Sequence, residues 1–163
     1  TTRMPIKMHM FYLRECYMAN KLSQGKMVLD NVRVDLKKVK IPVYSLAARE
    51  DHIAPANSVF IGSRLFGGPV EYVLGGSGHI AGVINPPAGE GKKDKYQYWT
   101  NRDRVDTLEE WLEGAKENPG SWWPHWAKWL AKQSGGMVPA REPGAKLGVI
   151  EDAPGSSVRV KSE

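Results

Sequence analysis

The segment IPVYSLAAREDHIAP, residues 41–55, decides the fold, because in it an apolar run gives way abruptly to a charged turn. The run IPVYSLAA (41–48) is rich in β-forming residues and is bounded by Lys40 and Arg49. A strand buried on both faces has this pattern. Pro42 stands near the start of the run, where a strand tolerates proline. We therefore predict a buried strand over 41–48.

The residues after that strand indicate how the sheet is built. A helical pattern extends over about 56–66 and ends at the pair Gly67-Gly68, and a second strand is predicted at VEYVL, 70–74. The order strand, helix, strand predicts an α/β fold with a parallel sheet flanked by helices.

The rest of the chain adds few strands. The other predicted elements are helices over about 7–23, 106–117 and 123–133, a short strand at 32–36, a surface loop at 85–96 and irregular, Gly/Pro-rich chain from Ser134 onward. Three sheet-forming runs are too few for a complete doubly wound domain. We therefore expect this sequence to be the C-terminal piece of a larger protein.

Composition restricts the class of protein. The chain has 163 residues, of which 41% are hydrophobic and 25% charged, as expected for one soluble globular domain. It contains no run of 18 apolar residues, so no transmembrane helix is predicted. The single cysteine, Cys16, excludes an internal disulfide framework and fits a reducing cytoplasm. The formal net charge of +5 is spread over short lysine clusters with carboxylates between them, which are typical of solvated surfaces.

Two ionisable residues come after the two strands. Asp51 and His79 each stand a few residues past a strand end, where the ligands and catalytic groups of open α/β sheets gather. A carboxylate facing an imidazole would fix its tautomer and leave the second ring nitrogen to act as a base. The alternative is that Asp51 caps the following helix and His79 fills a glycine-rich turn. His52 competes with His79 as partner of Asp51, but adjacent residues on an extended chain point apart.

A nucleophile for such a pair is missing. Proteins of the α/β-hydrolase type place it upstream of the acid, in a G-x-S-x-G or G-x-C-x-G turn. The chain has no such motif there, and GGSGH (75–79) lacks the final glycine and comes after Asp51. Cys16 lies in a predicted helix without flanking glycines, so we interpret it as a packing residue.

Two further patterns have simpler explanations. GSGHIAG (76–82) resembles a dinucleotide fingerprint, but its glycine spacing differs and the prolines after it prevent a long helix, so we exclude a nucleotide site. In SWWPHWAKWL (121–130), three tryptophans share one helical face, which indicates packing. The four histidines show no metal-ligand spacing, so no metal is predicted.

Three strings together resemble the C-terminal part of class I polyhydroxyalkanoate synthases: REDHIAP (49–55), YVLGGSGHIAGVINPP (72–87) and NPGSWWPHWAKWL (118–130). The resemblance runs from about Tyr12 to Val160. It implies an α/β-hydrolase fold and a Cys–His–Asp triad, in which Asp51 and His79 are the acid and the base. The cysteine of that triad would lie outside this chain.

The resemblance also implies a function. Such enzymes polymerise (R)-3-hydroxyacyl-CoA into polyhydroxyalkanoate with release of CoA, without a metal or an organic cofactor. They act as homodimers on granules in the cytoplasm, and no nucleic-acid partner is expected. Residues 1–133 would form part of the catalytic domain and 134–163 an extended C-terminal segment. From their proximity to His79, and not from the resemblance, we expect Ile80 and Ala81 to line the substrate pocket.

Two positions depart from the family pattern. Ala56 stands where class I members usually have tryptophan, and Ser157 replaces an expected aromatic residue. Two alternatives also remain open: a thioesterase or depolymerase of the same fold, and a non-catalytic module for granule binding or dimerisation. Without a nucleophile, the isolated chain is expected to be inactive.

Overall fold

A computed structural model describes residues 3–161, which belong to two compact units, Thr1–Trp129 and Leu130–Glu163. The strands are β1 Val28–Leu29, β2 Val32–Arg33, β3 Val43–Ala48, β4 Val70–Gly75, β5 Gln97–Thr100 and β6 Lys116–Pro119. The α-helices are α1 Ile6–Phe11, α2 Ala56–Ser63, α3 Leu108–Glu113 and α4 Trp123–Ala131. No helix among the described residues is both long and apolar enough to cross a lipid bilayer.

The first unit is organised around a four-stranded sheet of order β3-β4-β5-β6. Strands β3 and β4 are parallel, in register from Val43 opposite Val70 to Ala48 opposite Gly75. Helix α2 connects them, as the strand–helix–strand pattern predicts. Strands β5 and β6 continue the sheet in antiparallel orientation. The prediction of an α/β fold is confirmed, but the prediction of a parallel sheet is wrong for half of the strands.

Aromatic residues hold the core together. Tyr72 on β4 packs edge-to-face against Phe60 of α2 and Trp111 of α3, with ring centroids 5.2 and 5.0 Å apart. Val73 and Leu74, in the centre of β4, are the largest fully buried side chains in the described part of the chain. Burial of such a side chain contributes roughly 1.5–3 kcal/mol to folding. The core therefore fixes β4, the strand that leads to His79.

The predicted helix over 106–117 is wrong at its C-terminal end. The side chains of Thr107 and Glu110 form a capping box that starts α3, and the helix ends at the cap residue Gly114. The chain then forms β6, which pairs with β5 although its sequence KENP has low β propensity. Pro119 fits there because β6 is an edge strand.

The N-terminal predictions need smaller corrections. The predicted helix over 7–23 is α1 followed by a π-helical segment, Tyr12–Met18, and a turn. The predicted strand at 32–36 is reduced to β2, which pairs with β1 in a separate hairpin. The helix predicted over 56–66 and the strands predicted over 41–48 and 70–74 are confirmed within a few residues at each end.

The second unit has little regular structure beyond the end of α4 at Ala131. Its described residues form turns and one short 3-10 helix, Ser157–Arg159. Glycine and proline recur through this stretch and disfavour long helices and strands.

Candidate active site

The loops after β3 and β4 are joined by backbone hydrogen bonds. Beyond the paired strands, the N–H of Arg49 donates to the carbonyl of Gly75 over 2.8 Å, and the N–H of Glu50 donates to the carbonyl of Ser77 over 3.0 Å. These two bonds continue the parallel ladder past the last sheet residues. They bring the segment after β3, with Asp51, beside the segment after β4, with His79.

Asp51 uses its two carboxylate oxygens for different partners. Oδ1 accepts the backbone N–H groups of Ile53 at 2.8 Å and Ala54 at 2.9 Å. Oδ2 lies 2.8 Å from Nδ1 of His79. Helix α2 itself starts after Pro55 without a side-chain cap, so Asp51 stabilises the turn ahead of the helix and not the helix terminus. The same residue therefore forms a local turn and contacts the imidazole.

These contacts keep Asp51 ionised. The N–H of Ala54 is the largest influence, and together with the bonds from His79 and Ile53 it lowers the pKa of Asp51 to about 2, although burial acts in the opposite direction. The side chain is only 7% exposed. A buried carboxylate that remains charged because it accepts several hydrogen bonds is a fixed negative charge next to the imidazole.

The charge of Asp51 determines the tautomer of His79. An ionised carboxylate can only accept hydrogen bonds, so Nδ1 of the neutral imidazole must carry the proton. Nε2 then holds the lone pair, and it has no hydrogen-bond partner within residues 3–161. The His79 side chain is 46% exposed to solvent. The arrangement is suited to accept a proton from a neighbouring group and to stabilise the resulting imidazolium.

Glycines allow the loop after β4 to fold tightly under His79. A Cβ atom on Gly82 would lie 2.6 Å from the carbonyl oxygen of Gly76, 2.7 Å from Cβ of Ala48 and 2.8 Å from the carbonyl oxygen of Gly78. Such distances are closer than real Cβ contacts. The glycines of GSGHIAG therefore permit close packing of the loop on the end of β3, and no long helix comes after them.

The tryptophan segment packs against the sheet, as predicted. Tyr44 of β3 stacks on Trp122 with ring centroids 6.0 Å apart and meets Trp129 edge-on at 5.4 Å. Trp126 contacts Trp122 at 6.2 Å but remains 40% exposed. The tyrosine hydroxyl also lies 2.9 Å from Nδ1 of His125. The tryptophan segment also forms hydrogen bonds to the loop that carries His79. Helical spacing does not predict these bonds.

The indole N–H groups of Trp122 and Trp123 both donate to the carbonyl of Val83, each over 3.1 Å. Val83 lies four positions after His79. The buried amide of Asn85 adds donations to the carbonyls of Lys95, at 3.0 Å, and Gly120, at 3.4 Å. Periodicity cannot predict such long-range bonds, because it describes only which residues share a face.

The other candidate residues lie around this site or away from it. Ile80 is 72% exposed and Ala81 half-buried, so both border the surface next to His79. His52 is exposed and forms no hydrogen bond or ion pair in the described chain. Cys16 is half-buried in the π-helical segment, without a side-chain hydrogen bond to any described residue. No group of three or more His, Cys, Asp and Glu side chains among the described residues is arranged to hold a metal.

The chain is similar to individual curated proteins, although no protein-family model matches it. It is 57% identical over 162 residues to the poly(3-hydroxyalkanoate) polymerase subunit of Rhizobium meliloti, covering 99% of this chain and 26% of that protein. It is 57% identical to a poly(3-hydroxyalkanoate) polymerase of Methylorubrum extorquens, with the same coverage. It is 42% identical to the corresponding subunit of Cupriavidus necator, covering 99% of this chain and 27% of that protein.

The chain thus spans about a quarter of the length of the curated relatives that it matches. The matched region is their C-terminal part, and the match extends over nearly all of this sequence. The chain therefore belongs to the family of poly(3-hydroxyalkanoate) polymerases and corresponds to the C-terminal part of its members.

Proposed function

We propose that this sequence supplies the acid–base half of the active site of a poly(3-hydroxyalkanoate) polymerase. The observation that carries the proposal is the 2.8 Å contact between Asp51 Oδ2 and His79 Nδ1 at the ends of two parallel strands. Its substrate would be an (R)-3-hydroxyacyl-CoA, and its products CoA and a polyester longer by one unit. The family of the relatives supports this choice of reaction.

The proposed chemistry gives each group one task. A cysteine thiol from another part of the polymerase transfers its proton to Nε2 of His79 and attacks the thioester carbonyl. The bond to CoA breaks, and CoA leaves as a thiol after it receives the proton from the imidazolium. His79 next accepts the proton of a 3-hydroxyl group, whose oxygen attacks the enzyme-bound acyl thioester. An ester forms, the acyl bond to the enzyme sulfur breaks, and the imidazolium returns its proton to that sulfur, which regenerates the thiol and neutral His79. Asp51 holds the ring and stabilises its charged form.

The proposal includes the α/β-hydrolase fold and excludes Cys16 as the nucleophile. The parallel pair β3–β4, with an acid after one strand and a histidine after the other, supports the fold. In such a fold the nucleophile turn precedes the acid, and this sequence has no glycine-flanked cysteine or serine before Asp51. We propose that the reaction requires neither a metal nor an organic cofactor, since each proton transfer has a donor and an acceptor among these groups.

The substrate contacts and the assembly are further parts of the proposal. Ile80 and Ala81 directly follow His79 in the chain, and Ile80 is exposed, so we assign both residues to the wall of the acyl pocket. Homodimerisation and attachment to cytoplasmic polyester granules are proposed by analogy with the family. The apolar side chains exposed along α1 and the π-helical segment would supply a contact surface. Co-sedimentation with granules by a variant that lacks both Asp51 and His79 would separate attachment from catalysis.

The proposed function can be tested in a polymerase chimera, in which this sequence replaces the matched C-terminal part of the Rhizobium meliloti protein. CoA release and polymer yield are measured for the chimera, for His79→Ala and for His52→Ala. We expect His79→Ala to lower turnover by roughly 10³-fold or more, because base and nucleophile activation are lost together. His52→Ala should change it by less than about threefold, since its exposed side chain forms no hydrogen bond.

The same assay distinguishes the related chemistries. A hydrolase of this fold would use water as the acceptor and release free 3-hydroxy acid without polymer. Polymer formation that depends on His79 supports the polymerase. An inactive chimera, or equal losses from His52→Ala and His79→Ala, would contradict the assignment of Asp51 and His79.

A further inference from the structure

The segment that carries His79 is a compact turn with two fixed ends. This His79 turn, residues 78–84, contains backbone hydrogen bonds from Gly82 to Gly78 over 2.8 Å and from Ile84 to Ile80 over 2.8 Å. Immediately before the turn, the backbone bond from Glu50 to Ser77 attaches the chain to the segment that follows β3. Because the turn is internally bonded, a displacement of its far end would change the orientation of His79 at its near end.

The far end is fixed by two indole groups. Trp122 and Trp123, called here the indole pair, both donate to the carbonyl oxygen of Val83. A carbonyl oxygen has two lone pairs, and here both are used by side chains about 40 positions further along the chain. The backbone N–H of Trp123 is itself held by the buried hydroxyl of Ser121, at 3.1 Å. The backbone from which the Trp123 side chain extends is therefore held in place.

Packing alone does not require this geometry. The stacking of Trp122 on Tyr44 would be kept by any aromatic ring, and Trp126 lies on the same segment with no hydrogen bond from its indole within the described residues. Among residues 3–161, only the indole pair combines an aromatic face with an N–H donor aimed at the His79 turn. The matched residue Trp126 therefore provides an internal control.

We propose that Trp122 and Trp123 are positioning residues, which hold the His79 turn through the Val83 carbonyl and thereby keep the imidazole in register with Asp51. The proposal rests on the proposed role of His79 as the base. A base must lie within hydrogen-bond reach of the group that it deprotonates, and a displacement of about 1 Å can cost on the order of 10²-fold in rate.

The test uses Phe substitutions, which keep an aromatic ring and remove the N–H group. In the polymerase chimera we compare Trp122→Phe, Trp123→Phe, the double variant and the control Trp126→Phe. Each single variant leaves one donor on the Val83 carbonyl, so we expect a loss in kcat below about threefold. The double variant should lose at least about tenfold in kcat, with a change in KM below about threefold, because orientation and not binding is altered. Trp126→Phe should behave as the parent.

A second readout does not depend on activity. Hydrogen–deuterium exchange of the peptide that covers residues 78–84 should be faster in the double variant and unchanged in Trp126→Phe. Unchanged exchange in the double variant would overturn the proposal. If the double variant is not recovered in folded form, the single variants decide: each must accelerate exchange in this peptide beyond Trp126→Phe, and equal exchange overturns the proposal.

Combination with His79→Ala separates positioning from general stability. If the indole pair acts through His79, the double Phe substitution should have no further effect on the residual turnover of His79→Ala. A further tenfold loss in that background would overturn the proposal, because the pair would then act by another route. If His79→Ala leaves turnover intact, the proposed function itself fails and the positioning role fails with it, whereas the exchange experiment still shows whether the indole pair holds the turn.

Discussion

One carboxylate, that of Asp51, links a local turn to the imidazole of His79. Oδ1 accepts the N–H groups of Ile53 and Ala54, and Oδ2 lies 2.8 Å from Nδ1 of His79. Of the two interpretations that the sequence left open for Asp51, a cap of the following helix and a partner of the histidine, the contact of Oδ2 fits the second, whereas Oδ1 stabilises the turn before α2 and not the helix terminus. Substitutions of Asp51 can separate these contributions.

We expect Asp51→Asn and Asp51→Ala to differ in stability more than in turnover. The asparagine carbonyl can still accept the N–H groups of Ile53 and Ala54, but its amide would oppose the Nδ1–H of His79 and favour the wrong tautomer. Both variants of the polymerase chimera should lose on the order of 10²-fold or more in turnover. Asp51→Ala also loses the turn and should melt at a lower temperature than Asp51→Asn. Equal melting temperatures would contradict the structural role of Oδ1.

Because the pKa of Asp51 is lowered in the folded state, the free energy of unfolding depends on pH in the acidic range. This pKa is lowered from 3.8 to about 2 on folding, so the folded state favours the ionised form. The corresponding stabilisation is complete above the unfolded value and is lost as the pH falls from about 4 towards 2. The advantage of the parent over Asp51→Asn in urea midpoint should therefore be constant above about pH 5 and shrink below it. An advantage that grows on acidification would contradict this sign.

The sequence predicts the parts of the site that depend on local pattern. The runs at 41–48 and 70–74 predict both central strands, and parallel pairing then requires Asp51 and His79 to meet at one sheet edge. The pairing of their side chains at 2.8 Å agrees with that expectation. Local pattern is sufficient here because both residues come directly after strands that the core fixes.

The remaining features depend on contacts between distant residues. Strand β6 has the sequence KENP, whose residues have low β propensity. It forms a strand because it pairs with β5. The predicted helix over 106–117 extends into β6. Gly114 alone is a weak signal for the end of a helix, and the sequence does not show that a strand follows it. Likewise, the packing face of the tryptophans is predictable by helical spacing, whereas the two donations to Val83 are not.

Cys16 should be dispensable for catalysis. It is half-buried in the π-helical segment and forms no side-chain hydrogen bond within the described residues, so no base activates its thiol. We expect Cys16→Ser to leave the turnover of the polymerase chimera within about twofold. The isolated chain should release no CoA from 3-hydroxybutyryl-CoA above the blank. Turnover of the isolated chain that disappears in Cys16→Ser would show that Cys16 is a nucleophile.

The isolated chain should associate in solution. Strand β3 is the first strand of the sheet and pairs on one side only within the described residues, and an unpaired apolar edge is a template for aggregation. Large apolar side chains are also exposed along the N-terminal helical region, including Ile6, Tyr17 and Met18, at 76%, 70% and 82%. Light scattering should show particles that grow with concentration. A soluble monomer with a sharp cooperative melt would contradict this expectation.

Gly82 is the position where a single methyl group should disturb the His79 turn most. A Cβ there meets the carbonyl oxygens of Gly76 and Gly78 and the Cβ of Ala48 within 2.8 Å, and all three belong to backbone or to a short side chain that cannot move aside. Gly82→Ala must therefore displace the turn from the end of β3. We expect a loss of about 1–3 kcal/mol in the free energy of unfolding, as for other overpacked sites.

The matched control is Gly89→Ala, where a Cβ meets nothing within 4 Å. It should change the free energy of unfolding by less than about 0.5 kcal/mol and leave turnover unchanged. Gly82→Ala should lower kcat of the polymerase chimera by at least about tenfold, because the displaced turn carries His79 away from the reacting group. The two variants are compared by urea unfolding and by CoA release. Equal turnover in the two variants would show that close packing at Gly82 does not position the histidine.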